Sequence, residues 1–136
     1  IAEAGRLTRA KSQTELENTF GISPREGWIL SGVERDSYVE RIWRLHSPRR
    51  VFKDLRKAGA IFVTTPNFST IADVPRHDNF HAMMRIAWTW HEMIEAGLPT
   101  ALHINGRTDF DFVRWADFAK RQVNLIAVAF EFLTGA

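Results

Sequence analysis

The sequence lacks cysteine, long apolar runs and any glycine-rich phosphate fingerprint. Without cysteine, the 136 residues cannot form disulfides, thiolate zinc sites or iron–sulfur ligation. No apolar run approaches the roughly 18 residues needed to cross a bilayer, and no signal peptide is recognisable. We therefore expect a soluble, cytoplasmic protein with no membrane partner. Because no G-x-G-x-x-G motif follows any strand-like run, a dinucleotide-binding sheet is not favoured.

The amino-acid composition is typical of a folded domain. The chain is 45% hydrophobic and 25% charged, which is enough apolar material for one core and argues against disorder. Residues 1–27 form a polar, weakly helical lead-in, and residues 28–136 form the α/β domain. The chain starts without methionine and stops directly after a strand-like run, so we expect it to belong to a longer protein. The rest of that polypeptide, or a partner subunit, would complete the domain.

Four apolar, β-branched runs alternate with helical patterns. The predicted strands are Trp28–Val33, Ala60–Thr64, Thr100–Ile104 and Asn124–Phe132. The connections between them are long enough for helical crossovers, which implies parallel pairing in one sheet. The sequence therefore predicts repeated βα units, with part of a TIM-like (β/α) barrel favoured and an open doubly wound parallel sheet as the alternative.

Capping residues mark the predicted helices. Asp36 caps the first, Ser47-Pro48 opens the second, which Gly59 ends, and Thr108 caps the last. The longest helix starts at Asp78 or Asn79 and runs to Ala96. Its apolar stripe predicts one buried face, with Arg85, Glu92 and Glu95 on the opposite, wet face.

Polar residues gather just after the strands. In parallel α/β domains, ligands bind at the carboxyl ends of the strands, so these residues are the candidate site. They are Thr65, Asn67, Ser69 and Asp73 after the second strand, His103, Asn105, Arg107 and Asp109 at the third, and Glu131 and Thr134 at the fourth.

The segment His103–Asp109 carries the most chemistry. His103 and Asn105 are two apart, so they share one face of a strand. Histidine exchanges protons near neutral pH, asparagine holds an amide or carbonyl edge, and Arg107 pairs with an anion. The alternative interpretation is a hydrogen-bonded core histidine followed by an ordinary helix-entry loop.

Glu131 interrupts an otherwise apolar run. It lies either at an exposed strand end or buried with a partner, since burial without one is costly. His103 or Arg107 are the expected partners, and a His103–Glu131 pair would make a general base.

No cofactor or metal is expected. His77 and His81 are four apart, a spacing that can share a metal on one helix. Because His77 precedes the predicted cap, we expect the two side chains not to share a helical face.

Positive charge is concentrated in the first part of the chain. Residues 1–58 hold 12 Lys and Arg against 8 Asp and Glu, whereas residues 59–136 hold 6 against 8. The excess peaks in the second predicted helix, at Arg49, Arg50, Lys53, Arg56 and Lys57. This basic helix could bind nucleic-acid phosphates, although such a run is also typical of a solvated helix face.

One family resemblance covers about residues 28–136. The segment Thr65-Pro66-Asn67-Phe68-Ser69, a nearby Asp73-Val74-Pro75, the polar strand end His103–Thr108 and the following Trp115 resemble the uncharacterised bacterial and phage family called domain of unknown function 4417. Asn67 stands where an aspartate is commoner in that family. The resemblance implies that Asn67, Ser69, Asp73 and His103–Arg107 belong together, and it implies no particular activity.

Two functional classes follow. The favoured hypothesis is an enzyme, a hydrolase or group transferase acting on a small polar or nucleotide-like substrate. In it, His103 and Glu131 are catalytic. Asn67, Ser69, Asp73, Asn105, Arg107 and Asp109 bind the substrate. The alternative is a non-catalytic nucleic-acid-binding or structural module of a larger assembly.

Overall fold

A computed structural model describes residues 12–23, 26–44 and 48–131. From the first strand onwards, one or two helices separate each strand from the next. The elements are α1 (Gln13–Phe20), β1 (Trp28–Leu30), α2 (Asp36–Trp43), α3 (Pro48–Lys57), β2 (Ala60–Thr64), α4 (Arg76–Glu95), β3 (Thr100–His103), α5 (Asp109–Lys120) and β4 (Val128–Ala129).

The strands form one parallel sheet in the order β1-β2-β3-β4. The predicted α/β class and parallel pairing are therefore confirmed. In the described part of the chain β1 and β4 are the two edges, so the sheet is open and a closed barrel is not seen.

The predicted strand lengths are confirmed for β2, nearly confirmed for β3 and wrong for β4. β2 has the predicted bounds, and β3 ends one residue early, at His103. The prediction of a long fourth strand is wrong, because β4 has two residues. Its neighbourhood is not buried: Ile126 is 61% exposed and Val128 48%.

Register assigns the strand side chains to two faces. Leu30 pairs with Val63, which pairs with Thr100, so Leu102 shares their face. That face packs against the helices, since Val63 and Leu102 belong to the hydrophobic clusters. His103, beside Leu102 in the strand, lies on the opposite face.

Two buried clusters form the core. One joins Leu16 of α1 to Phe52 and Leu55 of α3 and to Val63 of β2. The other joins α4 to Leu102 and to Trp115 of α5. Because Leu16 is only 1% exposed, the helical part of the lead-in packs into the domain.

Helix ends follow local capping signals with small shifts. α3 starts at Pro48 as predicted, while Ser47 lies outside the described residues. Asp36 is the first residue of α2 and not its cap. Thr108 is the N-cap of α5, as predicted, and it forms a capping box with Asp111. α4 begins at Arg76, two residues earlier than predicted, with Pro75 as its N-cap.

The assignment of Arg85 and Glu92 to a wet face of α4 is wrong. Glu92 is 8% exposed and accepts hydrogen bonds from Nε and Nη2 of Arg49. Arg85 is half-buried, donates to Glu40 and lies 3.9 Å from the ring centroid of Phe68. α4 packs on the sheet with one face and on charged residues of α2 and α3 with another. Among the described helices, α4 included, none combines the length and the apolar character that crossing a bilayer requires.

Candidate functional site

A cavity of about 180 Å³ opens beyond the carboxyl ends of β2, β3 and β4. Six of the residues predicted from the sequence line it. They are Asn67, Ser69, His103, Asn105, Arg107 and Glu131. The expectation that polar residues from three strand ends meet at one rim is therefore confirmed in geometry.

Four side chains of the cavity wall form a series of hydrogen bonds that runs from Thr70 through Asn105 and Asn67 to Glu131. The Thr70 hydroxyl donates to Asn105 Oδ1 at 3.0 Å, and Asn105 Nδ2 donates to Asn67 Oδ1 at 2.9 Å. Asn67 Nδ2 then donates to Glu131 Oε2 at 2.8 Å. Asn105 and Asn67 are each hydrogen-bonded through both the oxygen and the nitrogen of the amide, which fixes the amide orientation. Asn67 therefore presents a donor to the Glu131 carboxylate, whose oxygens accept hydrogen bonds.

The expected partners of Glu131 were wrong. In the described residues its carboxylate is held by Asn67 and not by His103 or Arg107. Glu131 is half-exposed at the cavity, which matches the other prediction for it, a position at an open strand end.

His103 is the most deeply buried titratable group of the cavity. It is 2% exposed, and its Nδ1 has no hydrogen-bond partner. Burial lowers the pKa of its imidazole below the usual value of 6.5, so the ring is neutral at pH 7. Its backbone N–H donates to the Thr65 hydroxyl at 2.8 Å, which joins the ends of β2 and β3.

Arg107 is placed by the start of α5 and by the connection after β2. Its Nε donates to the carbonyl of Thr70 at 2.8 Å. Its backbone N–H and that of Thr108 both donate to Asp111 Oδ2. The Arg107 side chain is exposed, so its remaining guanidinium N–H groups are available at the cavity mouth.

Asp111 is a buried carboxylate under this loop. Burial by itself would raise the pKa of Asp111, but the backbone hydrogen bonds from Arg107 and Thr108 and the charge of Arg76 outweigh burial, so the pKa lies below its usual value. Arg76 Nη2 donates to Asp111 Oδ1 at 3.0 Å. Gly106 allows this packing, since a Cβ there would lie 2.7 Å from Asp111 Cβ.

Several contacts hold the connection between β2 and α4 against the rest of the domain. Asn79 of α4 donates to the Ile71 carbonyl and accepts from the Ile71 N–H, at 2.9 and 2.8 Å. At its other end the connection lies against Gly32, where a Cβ would come within 2.4 Å of the Thr65 carbonyl oxygen. Ser69 is tied to Asp36 of α2 at 2.7 Å.

Three of the predicted residues that the structure describes do not line the cavity: Thr65, which is buried and accepts from the backbone N–H of His103, Asp73 and Asp109. Asp73 is exposed in the connection, and Asp109 is exposed in the first turn of α5, where it favours the positive end of the helix. Thr134 lies outside the described residues.

Sequence reasoning missed Thr70, Asp111 and Asn79. Thr70 lines the cavity and contacts both Asn105 and Arg107. A signal existed for it, because it lies in the same polar segment as Asn67 and Ser69. No local signal identifies the contact of Asn79 with Ile71 or the burial of Asp111.

The basic helix holds one residue with a strong partner inside the protein. Arg49 is half-exposed, but its Nε and Nη2 donate to buried Glu92, so it is less available to a phosphate than the other four. Arg50, Lys53, Arg56 and Lys57 are exposed on α3. Lys57 has a long contact of 3.9 Å with Asp54.

The histidine pair of α4 lies on one helical face, contrary to prediction, because the helix starts before His77. The ring centroids of His77 and His81 are 6.3 Å apart. Across the described ranges, no group of three or more His, Asp or Glu side chains is arranged to hold a metal.

Comparison of the chain with protein-family models, with curated proteins and with solved structures finds no match. The resemblance to the domain of unknown function 4417 family therefore stays a prediction, and the arguments for function come from the cavity itself.

Proposed function

We propose that the cavity is the active site of an enzyme that acts on a small polar substrate by hydrolysis or group transfer. The observation that carries the proposal is His103, a fully buried histidine that lines a polar cavity with Nδ1 unpartnered. Leaving a buried nitrogen without a partner costs about 1–3 kcal/mol. A catalytic role is one reason for a protein to keep such an unsatisfied buried group.

His103 has the properties of a general base. Burial lowers the pKa of the imidazole, so the ring is unprotonated at neutral pH and can accept a proton from a bound nucleophile. Glu131 is a carboxylate on the same wall, oriented by Asn67.

Arg107 supplies the anion-binding group of the proposal. Its Nε is fixed on Thr70, and this leaves the forked end of the guanidinium for a carboxylate or phosphate. Asn67 and Asn105 orient the substrate beside it. The active site thus combines a proton acceptor, a carboxylate and a cation within one cavity.

The size of the cavity narrows the substrate class. About 180 Å³ of space lies between the strand ends, and we favour a small metabolite there over the nucleotide-like substrate considered from the sequence.

We further propose that the sheet is part of a (β/α) barrel. The strand order supports it, since neighbours in the sheet are consecutive in the chain, whereas a doubly wound sheet reverses direction at a switch point. A structure of the complete gene product tests this. Strands that extend the order to closure support a barrel, and a strand added in reversed order supports the open sheet.

Membership of the domain of unknown function 4417 family is also a proposal. It is supported by the common location of the residues that carry the resemblance, because Asn67, Ser69 and the segment His103–Arg107 line one cavity.

Ligand binding and hydrolysis test the proposed activity together. Thermal shift with phosphate, acetate and malonate should show stabilisation that Arg107→Gln abolishes and that Lys53→Gln, on α3, leaves unchanged. Hydrolysis of p-nitrophenyl acetate and p-nitrophenyl phosphate should fall about 100-fold in His103→Gln, a typical loss for a general base. Absence of binding, together with equal hydrolysis by wild type and His103→Gln, would refute the enzyme.

A further inference from the structure

Two opposite charges line the cavity without pairing with each other. Arg107 and Glu131 both face it, yet within the described ranges neither takes part in an ion pair. Opposite charges in so small a space attract each other. Each is instead bound to another group, Arg107 to the Thr70 carbonyl and Glu131 to the Asn67 amide.

Each of the two side chains keeps part of its hydrogen-bonding capacity. Arg107 uses Nε and keeps the N–H groups of both Nη atoms, and Glu131 uses Oε2 and keeps Oε1. The bonded part of each group restrains the direction of the free part. The cavity therefore presents an oriented donor cation and an oriented acceptor anion to whatever binds between them.

We propose that the ligand is a small zwitterion, a free amino acid or an amino-bearing carboxylate of similar size. Its carboxylate binds Arg107 and its ammonium group binds Glu131. This inference rests on the proposed function and deepens it, because it names the substrate class of that same site. The cavity volume of about 180 Å³ suits a molecule of this size.

His103 fits a zwitterion better than it fits a simple anion. A protonated imidazole would repel the ammonium group, whereas the neutral ring of buried His103 does not.

Matched ligands separate the two charges. Isothermal titration of the whole chain compares glycine, alanine, serine, glutamate and β-alanine with their N-acetyl derivatives, which lack the ammonium group, and with their carboxamides, which lack the carboxylate. At least one zwitterion should bind about tenfold or more tightly than both of its analogues, the usual effect of losing a charged hydrogen bond.

Variants assign each charge to its residue. Glu131→Gln should remove the preference over the N-acetyl derivative, and Arg107→Gln should remove the preference over the carboxamide. Lys53→Gln should change neither. If Glu131→Gln does not fold, the comparison of ligands on the wild-type chain decides alone.

The outcomes also distinguish this inference from the proposed function. An N-acetyl derivative that binds as tightly as its parent amino acid overturns the zwitterion and leaves a simple anion site intact. Failure of every zwitterion to bind overturns the inference as well. The proposed function is then tested separately, by thermal shift with phosphate, acetate and malonate and by the hydrolysis rates of His103→Gln.

Discussion

Asn67 and Glu131, separated by 64 positions in the chain, meet at 2.8 Å between Nδ2 and Oε2. This contact joins the segment after β2 to the segment after β4 across the end of β3. Since Asn67 also accepts from Asn105, its amide cannot turn over without losing both bonds. The direction of the whole chain of hydrogen bonds thus depends on Asn67 being an amide.

The first prediction replaces that amide by a carboxylate. In Asn67→Asp, two carboxylates face each other and Glu131 loses its donor, so the variant should be destabilised by about 1 kcal/mol above pH 6. Acidification should reduce the deficit, because a proton shared between like charges relieves their repulsion. Thermal melts between pH 4.5 and 8 measure this. Asn18→Asp, exposed on α1, is the matched control, and an Asn67→Asp deficit independent of pH would contradict the assignment.

The second prediction concerns the pH dependence that comes from His103. Its folded pKa lies below its unfolded value of about 6.5. The unfolded chain therefore binds more protons, so this group's contribution to stability is fully present above about pH 6.5 and is lost as the pH falls. The fall in melting temperature from pH 7.5 to pH 5.5 should be smaller in His103→Gln than in wild type.

His91→Gln serves as the control for that measurement, since His91 is exposed on α4. It should keep the wild-type pH dependence. An equal change in His103→Gln and His91→Gln would show that burial of His103 does not control the titration.

The third prediction tests the carboxylate under the Arg107 loop. Asp111→Asn keeps the shape of the side chain but removes its charge, which leaves Arg76 without its ion pair and weakens the hydrogen bonds from Arg107 N and Thr108 N. We expect a loss of about 1–3 kcal/mol in the free energy of unfolding at pH 7, measured by urea denaturation.

The sign of its pH dependence follows from the lowered pKa of Asp111. The stabilisation is present above the unfolded pKa of about 4 and is lost as the pH falls through the folded pKa. The gap between wild type and Asp111→Asn should therefore close in acid. Asp109→Asn, exposed in the same helical turn, should cost no more than about 0.5 kcal/mol.

The fourth prediction separates a structural from a phosphate-binding role for Arg49. Its guanidinium holds Glu92, and this hydrogen bond, against the opposing effect of burial, keeps the pKa of Glu92 below its usual value. Arg49→Gln leaves that carboxylate buried without its partner, so the melting temperature at pH 7 should drop. The drop should shrink in acid, as the Glu92 carboxylate becomes protonated. Lys53→Gln, exposed on the same helix, should leave the melting temperature unchanged.

A nucleic-acid-binding role predicts the opposite pattern of effects for Arg49→Gln and Lys53→Gln. If α3 binds phosphates, Lys53→Gln should weaken binding of a DNA duplex at low salt and flatten its salt dependence. Arg49→Gln should then do so only through its effect on folding. No duplex binding at low salt would end the nucleic-acid alternative.

Elements set by local chemistry were predictable from the sequence. β2 is an apolar, β-branched run between Gly59 and polar residues, and α3 and α5 begin at residues with clear N-terminal preferences. The site followed from one further rule, that parallel strands open on a common edge. This rule is sufficient to bring Asn67, His103 and Glu131 together.

Pairings between distant residues were not predictable. Arg49 and Arg85 reach Glu92 and Glu40 across 43 and 45 positions, and helical spacing alone assigns Arg85 and Glu92 to solvent. The same limit explains why Glu131 was given the wrong partners. The predicted length of β4 is wrong for another reason. An apolar run indicates a strand, but it does not show whether other parts of the protein pack over that strand.

The double hydrogen bond between Asn79 and the Ile71 backbone has a consequence for the speed of binding. The connection that carries Asn67, Ser69 and Thr70 is anchored by the protein's own helix, so no incoming molecule has to order it. Little conformational entropy is then lost on association. We expect encounter with the cavity to be limited by diffusion and charge steering and not by a slow loop rearrangement.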